Sequence, residues 1–315
     1  MKKILITGAT GFVGGAIICE LLKFDMPIIA SVRNNSGLVP NEVNQIKISD
    51  ISSSTNWVPA LGGVDVVIHT AARVHVMDDS SADPLTEFRK VNVAGTLNLA
   101  RQATESGVRR FVFISSIKVN GEATQPSKPF TPEDNITTQD PYGLSKWEAE
   151  QGLFEIAEQT GMQVVVIRPP LIYGEGVKAN FAKMMQGVAK GLPLPLGAVH
   201  NKRSLVALEN LVDFIIFCTQ HPKAANEVFL ISGGEDVSTT ELLQKVAKAM
   251  GKPSRLMPVP VALMTFVAKL VGKEDVANRL FGSLQVDSSK ARELLGWKPV
   301  VTMDEQLKKI VEAER

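Results

Sequence analysis

Gly8-Ala9-Thr10-Gly11-Phe12-Val13-Gly14 follows the short apolar run Lys3–Thr7 and leads into Gly15–Leu22, where apolar residues recur at helical spacing. This order of strand, glycine-rich turn and helix is typical of a phosphate-binding loop. Glycine permits the turn and lets the backbone approach a pyrophosphate, while the N–H groups at the helix N-terminus attract an anion. On its own the loop predicts only an anion site, because glycine triplets also occur by chance in plain turns.

The bulk composition limits the class of protein. The chain has 315 residues, two cysteines and a formal net charge of +1. Its length accommodates one large domain or two unequal ones, and its charge indicates no nucleic-acid partner. Cys19 and Cys218 lie in separate apolar helical patterns, which predicts buried thiols in a reducing compartment. We therefore expect a cytoplasmic protein without a disulfide or a metal site.

The longest uncharged apolar stretch is Leu256–Ala268, which contains Pro258 and Pro260. It is shorter than the roughly 20 residues that span a bilayer, so no membrane span is predicted. We expect this stretch to form a core or interface helix rather than to associate with a membrane.

Apolar runs alternate with helical patterns through the first half of the chain. After the first strand, further strands are predicted at residues 27–32, 45–51, 65–72, 110–116 and 163–168. Helices are predicted at residues 83–105 and 141–159. This alternation predicts an α/β fold with a Rossmann doubly wound parallel sheet.

Beyond Arg168 the pattern is less regular, and prolines and glycines become frequent. Helices are predicted there at residues 179–190, 208–220, 239–250 and 260–271. We expect a smaller mixed α/β C-terminal substrate lobe over the carboxyl edge of the sheet, where ligands of such sheets bind. The expected division gives residues 1–168 and about 204–232 to the dinucleotide-binding domain, and residues 169–203 and 233–315 to the substrate lobe.

The end of the predicted second strand, Val32-Arg33-Asn34, bears on the choice of cofactor. An acidic residue at this point accepts a hydrogen bond from the ribose 2′-OH of NAD, whereas an arginine can pair with the 2′-phosphate of NADP. The strand end carries Arg33 and no acid. We therefore expect NADP, with NAD as the alternative.

Tyr142 and Lys146 stand four residues apart at the start of a predicted helix and so share one face. A lysine ammonium beside a phenol can lower its pKa from about 10, which would let Tyr142 exchange a proton near neutral pH. Ser116, at the end of the predicted fifth strand, supplies a hydroxyl for the same substrate oxygen. Together with the glycine loop, these three residues predict a catalytic site.

The glycine loop, Ser116 and Tyr142-x-x-x-Lys146, in this order, resemble an extended short-chain dehydrogenase/reductase of the nucleotide-sugar epimerase/dehydratase group. The resemblance implies Ser116 rather than Ser115 as the catalytic serine, because Ser116 precedes Gly121 by five residues. It also implies a homodimer through the helices at 83–105 and 141–159. The cofactor-binding positions, Arg33 included, are Gly8, Thr10, Gly11, Phe12, Val13, Gly14, Arg33, Asn34, Asp50, Ile51, Thr70, Ala71, Ala72, Asn92, Tyr142, Lys146 and Pro169.

The resemblance extends to residues on the substrate side and implies a UDP-sugar as substrate. Asn180 resembles an asparagine near the nucleotide, and Arg203 resembles a pyrophosphate-binding arginine. An arginine is apt because its planar guanidinium binds phosphate oxygens through paired hydrogen bonds. Ser116, Lys118 and Arg279 complete the expected substrate contacts. Residues 287–297 resemble a terminal signature of the family, interpreted as a structural helix with an N-cap and a glycine stop.

The reaction that the resemblance implies is hydride transfer between a nicotinamide and a sugar carbon, with Tyr142 moving the hydroxyl proton, Lys146 tuning it and Ser116 orienting the oxygen. Dehydration is disfavoured because Ile117-Lys118 stands where dehydratases carry Asp-Glu. Arg33 and Leu171, the latter at a usual Asn position, favour NADPH-dependent reduction of a UDP-4-keto-6-deoxy-hexose, with or without an N-acetyl group. A UDP-hexose 4-epimerase, acting on UDP-glucose or UDP-GlcNAc, is the alternative. A non-catalytic NADP-binding sensor is a remote one, since such relatives lose the Tyr or the Lys.

Overall fold

A computed structural model of the protein describes residues 2–34, 37–74, 83–136, 138–177 and 179–313. The strands are Ile4–Thr7 (β1), Ile28–Val32 (β2), Asn44–Lys47 (β3), Val66–His69 (β4), Arg110–Ile114 (β5), Gln163–Arg168 (β6), Leu171–Tyr173 (β7), Arg203–Ala207 (β8), Glu227–Leu230 (β9) and Asp236–Val237 (β10). The α-helices are Phe12–Leu22 (α1), Val58–Leu61 (α2), Pro84–Phe88 (α3), Thr96–Glu105 (α4), Pro141–Thr160 (α5), Ala179–Ala189 (α6), Leu208–Cys218 (α7), Thr239–Ala249 (α8), Val261–Leu270 (α9), Glu274–Phe281 (α10), Ser289–Leu295 (α11) and Met303–Ala313 (α12).

The central sheet has seven strands in the order β3-β2-β1-β4-β5-β6-β9, and every pair in it is parallel. The predicted doubly wound α/β fold is therefore confirmed. The order reverses beside β1, because β2 pairs with one edge of β1 and β4 with the other. Ligands of such sheets bind in the crevice that this reversal opens at the carboxyl ends of the strands.

Helices cover both faces of this sheet. Ile4 and Ile6 of β1 belong to a core shared with α1 and α7, whereas Leu5 between them belongs to a core shared with α4 and α5. Successive side chains of a strand point to opposite faces, so a strand covered on both sides is apolar throughout. This burial explains the continuous apolar runs in the sequence.

A second sheet of three strands, in the order β10-β8-β7, forms the smaller lobe. β7 and β8 are parallel, whereas β10 and β8 are antiparallel, so the sheet is mixed as expected. Its core includes side chains from α6, α8 and α12, such as Phe181, Leu243 and Leu307. The residue ranges assigned to the two domains stay a prediction.

The helix predicted at residues 83–105 has an internal irregularity. Its start is confirmed, because the carboxylate of Asp83 accepts a hydrogen bond from the Thr86 amide at 3.1 Å. Residues Arg89–Gly95 then form a π-helical segment between α3 and α4. Such segments are rare and concentrate at functional sites, and helical periodicity alone does not predict them.

Other helix and strand predictions were correct in kind but differ at their ends. β3 ends at Lys47, so Asp50 lies beyond the strand rather than at its end. The stop of the terminal signature is confirmed, since Gly296 adopts a left-handed φ of 73°. At the N-terminus of α11 the N-cap residue, Ser288, makes no side-chain capping hydrogen bond. The carboxylate of Asp287 instead accepts a hydrogen bond from the Ser289 amide at 2.8 Å.

One burial prediction was wrong, and one alternative of another is excluded. Cys19 is exposed, because α1 turns Ile17, Ile18 and Leu21 toward the core and Cys19 toward solvent, whereas Cys218 is buried as expected. The apolar stretch that contains α9 is not a core helix, since α9 has no buried residue, and the alternative of an interface helix stays a prediction. Among the described residues, no helix combines the length and the apolarity needed to cross a bilayer.

Candidate active site

The glycine loop is folded so tightly that side chains cannot be accommodated at two of its positions. Gly8 has a left-handed φ of +70°, and the Gly11 amide donates to the Gly8 carbonyl at 2.8 Å. A Cβ atom on Gly14 would lie 2.2 Å from the Gly8 carbonyl oxygen, and one on Gly8 would lie 2.6 Å from Oγ1 of Thr70. The loop therefore requires glycine for sterics as well as for its backbone angles.

The start of α1 is suited to a phosphate. Gly11 precedes the helix and provides no side-chain cap, and Thr10 and Gly11 are exposed. The first N–H groups of a helix have no partner within it, and they carry the positive end of the helix dipole. A glycine loop that leads into an uncapped helix N-terminus fits the pyrophosphate of a dinucleotide.

The carboxyl end of β4 packs against this loop. The Thr70 hydroxyl donates to the Thr7 carbonyl at 2.7 Å, and the Ala71 amide donates to the Thr7 hydroxyl at 3.4 Å. Thr70, Ala71 and Ala72 are half-buried, so they line the crevice beside the glycine loop. Their small side chains leave room for a flat ligand to pass along the strand end.

His69 is a structural residue of this strand. Its two ring nitrogens lie 2.7 Å from the Thr7 hydroxyl and 3.0 Å from the Thr96 hydroxyl, and its ring stacks on Phe113. Burial lowers the pKa of His69 to about 3, and the nearby Lys146 ammonium adds to this effect. The imidazole is therefore neutral at physiological pH.

The residues expected beside the adenosine half of the cofactor lie at the ends of β2 and β3. Arg33 and Asn34 follow β2 and are exposed, which leaves the guanidinium accessible to a ribose phosphate. Asp50 is exposed and Ile51 half-buried. Ile51 packs against the π-helical segment at Gly95, since a Cβ atom on Gly95 would lie 2.6 Å from the Ile51 side chain.

Ser116 lies directly after β5, where it caps the short 3₁₀ turn Ile117–Val119. Its Oγ accepts a hydrogen bond from the Lys118 amide at 3.2 Å, and the residue is half-buried. The neighbouring Ser115 is buried, and its hydroxyl donates to the carboxylate of Glu150. Of the two serines, Ser116 therefore has the more accessible hydroxyl. The turn also rests on Pro169, whose carbonyl accepts from the Ile117 amide at 3.0 Å.

The Ser116 turn lies against the first turn of α5. A Cβ atom on Gly143 would come within 2.5 Å of the Lys118 carbonyl oxygen, so the two backbones are in contact. Lys118 Nζ also bonds to the carboxylate of Asp140, the N-cap of α5, at 3.0 Å. These contacts bring the turn that bears Ser116 to the helix turn that bears Tyr142. Lys118, expected to touch substrate, is held by ion pairs to Asp140 and Glu122.

Lys146 is fully buried beneath this turn. Its ammonium donates to the Ile114 carbonyl at 2.8 Å and lies 4.4 Å from the centre of the Phe113 ring. Burial lowers the pKa of Lys146 to about 7, while the negative charge of Glu150 acts in the opposite direction. The lysine is therefore poised between its charged and neutral forms near physiological pH.

The expected lowering of the Tyr142 pKa is not found. Burial, with a smaller contribution from the negative charge of Asp140, raises the pKa of Tyr142 to about 12, although part of the side chain remains accessible. The physical reason is that the Lys146 ammonium is directed toward the Ile114 carbonyl and the Phe113 ring. Shared helical spacing places the two residues on one face but does not aim the charge.

A buried polar network joins α5 to β6 and was not predicted from sequence. Glu150 and Arg168 form an ion pair of 2.5 Å with almost no solvent exposure. Arg168 also donates to the side chain of Asn120 at 3.0 Å, and Asn120 donates to the Thr131 carbonyl at 2.9 Å. The network ties β6 to α5 and to the loop after Ser116. The available signal was Glu150, which stands four residues after Lys146 on the same helix.

Phe88, the last residue of α3, and Asn92, in the π-helical segment that follows it, both pack against α5. The Asn92 amide donates to the Ser145 hydroxyl at 3.1 Å and to the Arg73 carbonyl at 3.0 Å. The π-helical segment provides this position, and the expected role of Asn92 behind the site stays a prediction. Phe88 was not predicted, yet its ring packs edge-on against that of Tyr142 at 5.8 Å.

The expected substrate residues of the smaller lobe do not join this cluster through any contact among the described residues. Nη1 of Arg203 donates to the carbonyls of Arg279 and Gly282 at 2.9 and 3.0 Å, so it fastens the end of α10 to β8. The Arg279 residue is exposed. Asn180 lies in α6, but its side chain is outside the described part of the structure.

Comparison with known proteins identifies relatives along almost the whole chain. The sequence model of the NAD dependent epimerase/dehydratase family matches residues 4–232. A protein of Vibrio cholerae named UDP-glucose 4-epimerase is 51% identical, and the match covers 99% of this chain and 95% of that protein. The N-acetyl-alpha-D-glucosaminyl-diphospho-ditrans,octacis-undecaprenol 4-epimerase of Escherichia coli O157:H7 is 30% identical over 86% of this chain and 81% of its own.

Solved structures share the fold. The UDP-glucose 4-epimerase of Thermotoga maritima, crystallised with UDP-glucose, superposes with a TM-score of 0.79 at 23% identity, over 99% of this chain and 98% of its own. The UDP-N-acetylglucosamine 4-epimerase of Bacillus cereus gives a TM-score of 0.80 at 21% identity, over 99% of both chains. Together with the family match, these similarities confirm the fold class and the family resemblance inferred from sequence.

Proposed function

Since this chain belongs to the NAD dependent epimerase/dehydratase family, we propose that it is a nucleotide-sugar 4-epimerase that acts on a UDP-hexose. The observation that carries the proposal is the contact between the Ser116 turn and the start of α5, the helix that bears Tyr142 and Lys146, at the edge of the sheet where the glycine loop lies. The 51% identity to the Vibrio cholerae protein over 99% of this chain favours epimerisation over the reduction favoured from sequence.

The cofactor of this reaction is a nicotinamide dinucleotide, for which the loop of Gly8, Gly11 and Gly14 and the open N-terminus of α1 provide a fitting pyrophosphate cradle. A nicotinamide held there would supply the acceptor and donor for the hydride of the sugar C4. Thr70, Ala71 and Ala72 would border its path along the end of β4.

The chain's own residues handle the proton of the C4 hydroxyl. Tyr142 would have to be in its phenolate form to take that proton as C4 is oxidised, and it would return the proton when C4 is reduced on the other face of the sugar; because burial raises its pKa to about 12, the bound state has to favour the phenolate. The Ser116 hydroxyl donates a hydrogen bond to the same oxygen and holds it beside Tyr142. For Lys146 to stabilise the negative charge that develops on the phenol oxygen, its ammonium has to turn from the Ile114 carbonyl toward Tyr142, because an opposite charge favours the ionised form only when it is nearby.

A second candidate is NADPH-dependent reduction of a UDP-4-keto-6-deoxy-hexose. The observation in its favour is the exposed Arg33 at the end of β2, with no acid at that strand end to hold the 2′-OH of NAD. The chemical step at C4 is the same in both reactions, so Ser116, Tyr142 and Lys146 keep their roles. The difference lies in whether reducing equivalents are consumed.

The substrate contacts and the assembly are further parts of the proposal. Arg203 would bind the diphosphate of the UDP-sugar through its guanidinium, and Asn180, Lys118 and Arg279 would supply further substrate contacts. A homodimer would form through the helices predicted at 83–105 and 141–159. Alanine substitution of Arg203, with KM for the UDP-sugar as readout, and the mass of the purified protein in solution test these two statements.

One experiment separates the two reactions. The purified protein is assayed for conversion of UDP-glucose or UDP-GlcNAc without added cofactor, and for NADPH oxidation with a UDP-4-keto-6-deoxy-hexose. Epimerisation predicts isomerised product, nicotinamide released on denaturation and no net NADPH consumption. Stoichiometric NADPH oxidation without isomerisation would establish the second candidate instead. Tyr142→Phe is the control, because it should abolish turnover but leave cofactor binding intact.

A further inference from the structure

The helix α9 presents apolar side chains to solvent. Leu263, Phe266, Val267 and Leu270 are 54%, 60%, 49% and 70% exposed, and Val271 after the helix is 61% exposed. Their spacing of three and four residues places them in one stripe along the helix. A surface helix of a globular domain normally turns such a stripe toward the core, whereas α9 turns its apolar stripe toward solvent.

The chain around this stripe is basic. Residues 242–273 contain six lysines and arginines and no aspartate or glutamate, although Glu241 and Glu274-Asp275 flank this segment and the whole chain has a net charge of only +1. Two of the six, Lys245 and Lys248, pair with Asp304 from α12. The other four are Lys252, Arg255, Lys269 and Lys273.

The positive charge of these four residues is not neutralised by a carboxylate among the side chains that the structure describes. Lys252 and Arg255 donate to the backbone carbonyls of Ala189 and Gly191, which do not neutralise them. Lys269 and Lys273 are exposed at the C-terminal end of α9, and no ion pair joins either to a carboxylate among the side chains that the structure describes. Lys269 and Lys273 thus place positive charge at the C-terminal end of the apolar stripe, and Lys252 and Arg255 lie on the segment that leads into α9.

We propose that this surface, formed by the stripe of α9 and these four cations, docks on an anionic lipid membrane. A helix that lies in the membrane interface combines a solvent-facing apolar stripe with basic residues that reach the lipid phosphates. A second copy of the chain is a poorer occupant, because an isologous contact would bring the two basic rims together. The proposal concerns where the protein is held and does not depend on the reaction proposed above.

The docking surface is rigidly joined to the smaller lobe. α9 packs against α10, and the end of α10 is held by Arg203 and by Asn201, whose amide donates to the Leu280 and Gly282 carbonyls at 3.1 and 2.9 Å. Docking through α9 would therefore orient the predicted substrate lobe toward the bilayer. Membrane docking departs from the expectation that the apolar stretch forms a core or interface helix rather than associating with a membrane.

The test is co-sedimentation of the full chain with vesicles of phosphatidylcholine alone and with vesicles that also contain phosphatidylglycerol. We expect binding to the anionic vesicles only, weakened by salt. Phe266→Ser should reduce binding about tenfold, because the ring inserts into the interface. The double charge reversal Lys269→Glu with Lys273→Glu should reduce it at least tenfold, since each basic residue near an anionic surface contributes about 1 kcal/mol.

Phe24→Ser is the matched control, because Phe24 is also 60% exposed but follows α1 on the other domain. It should bind anionic vesicles as the unaltered protein does, and thermal unfolding should verify that all variants are folded. The proposal is overturned if the unaltered protein stays in the supernatant with every vesicle, or if Phe266→Ser binds normally. It is also overturned if Phe266→Ser changes the mass of the protein in solution, since α9 would then face a second copy.

Discussion

The buried ion pair between Glu150 and Arg168 makes Glu150→Gln a sensitive perturbation. Both side chains are almost fully buried, and the guanidinium donates to the carboxylate at 2.5, 3.0 and 3.2 Å. Removing one charge leaves the Arg168 cation without compensation in a site that water does not reach. Breaking such a pair costs about 3–5 kcal/mol of unfolding free energy.

The partners of Glu150 indicate where in this range of unfolding free energy each substitution should lie. A glutamine still offers one amide oxygen to Arg168 or to the Ser115 hydroxyl, so Glu150→Gln should lie near the lower end, at about 3 kcal/mol. Glu150→Ala also leaves a cavity and should lie near the upper end. A domain is stable by about 5–15 kcal/mol in total, so either change removes a large fraction.

The assay is urea unfolding followed by circular dichroism. An exposed pair of the same chemistry, Arg89 with Glu148 at 2.5 Å, provides the control. Glu148→Gln should cost no more than about 1 kcal/mol, because solvent screens the charges. The double variant Glu150→Leu with Arg168→Met should recover most of the loss, since both buried charges are then gone. The reasoning fails if Glu150→Gln costs no more than Glu148→Gln, or if the double variant is as unstable as the sum of its parts.

Four further outcomes follow from the site. Lys146 has a pKa of about 7 in the folded protein and of about 10.4 in the unfolded chain, so the unfolded state binds more protons between these two pH values. The free energy of unfolding should therefore rise with pH in this window, by up to about 1.4 kcal/mol per pH unit. Urea titrations of Lys146→Met should lack this slope. Gly14→Ala should weaken nicotinamide binding at least tenfold in fluorescence titrations, because its Cβ would lie 2.2 Å from a loop carbonyl oxygen, whereas Gly15→Ala, with 3.6 Å available, should bind normally. Tyr142→Phe should lower kcat by about 10²–10⁴ while the dissociation constant of the cofactor stays unchanged; a variant that keeps full turnover would remove Tyr142 from the mechanism. Arg33→Asp should shift the ratio of NADPH to NADH affinity toward NADH, and an unchanged ratio would separate Arg33 from the cofactor phosphate.

The sequence by itself determined the sheet and its carboxyl edge. Strands buried on both faces have to be apolar throughout, and a glycine at position 14 is needed because a Cβ there would meet backbone. These constraints are local or periodic, so they can be recognised in the order of residues. The same holds for the glycine loop, for Ser116 after β5 and for the Tyr142 helix, which the fold brings to one edge.

What only the tertiary structure decided depends on contacts between distant segments. Burial sets the pKa values of Lys146 and Tyr142, and the Lys146 ammonium points toward Ile114 and Phe113 of β5; no spacing on α5 predicts either. The partner of Glu150 is on β6, so its burial became visible only when β6 and α5 were packed together.

The apolar stripe of α9 has the spacing of a core helix, yet the lobe turns it outward. Periodicity identifies which residues share a face, and the packing of neighbouring elements decides where that face points.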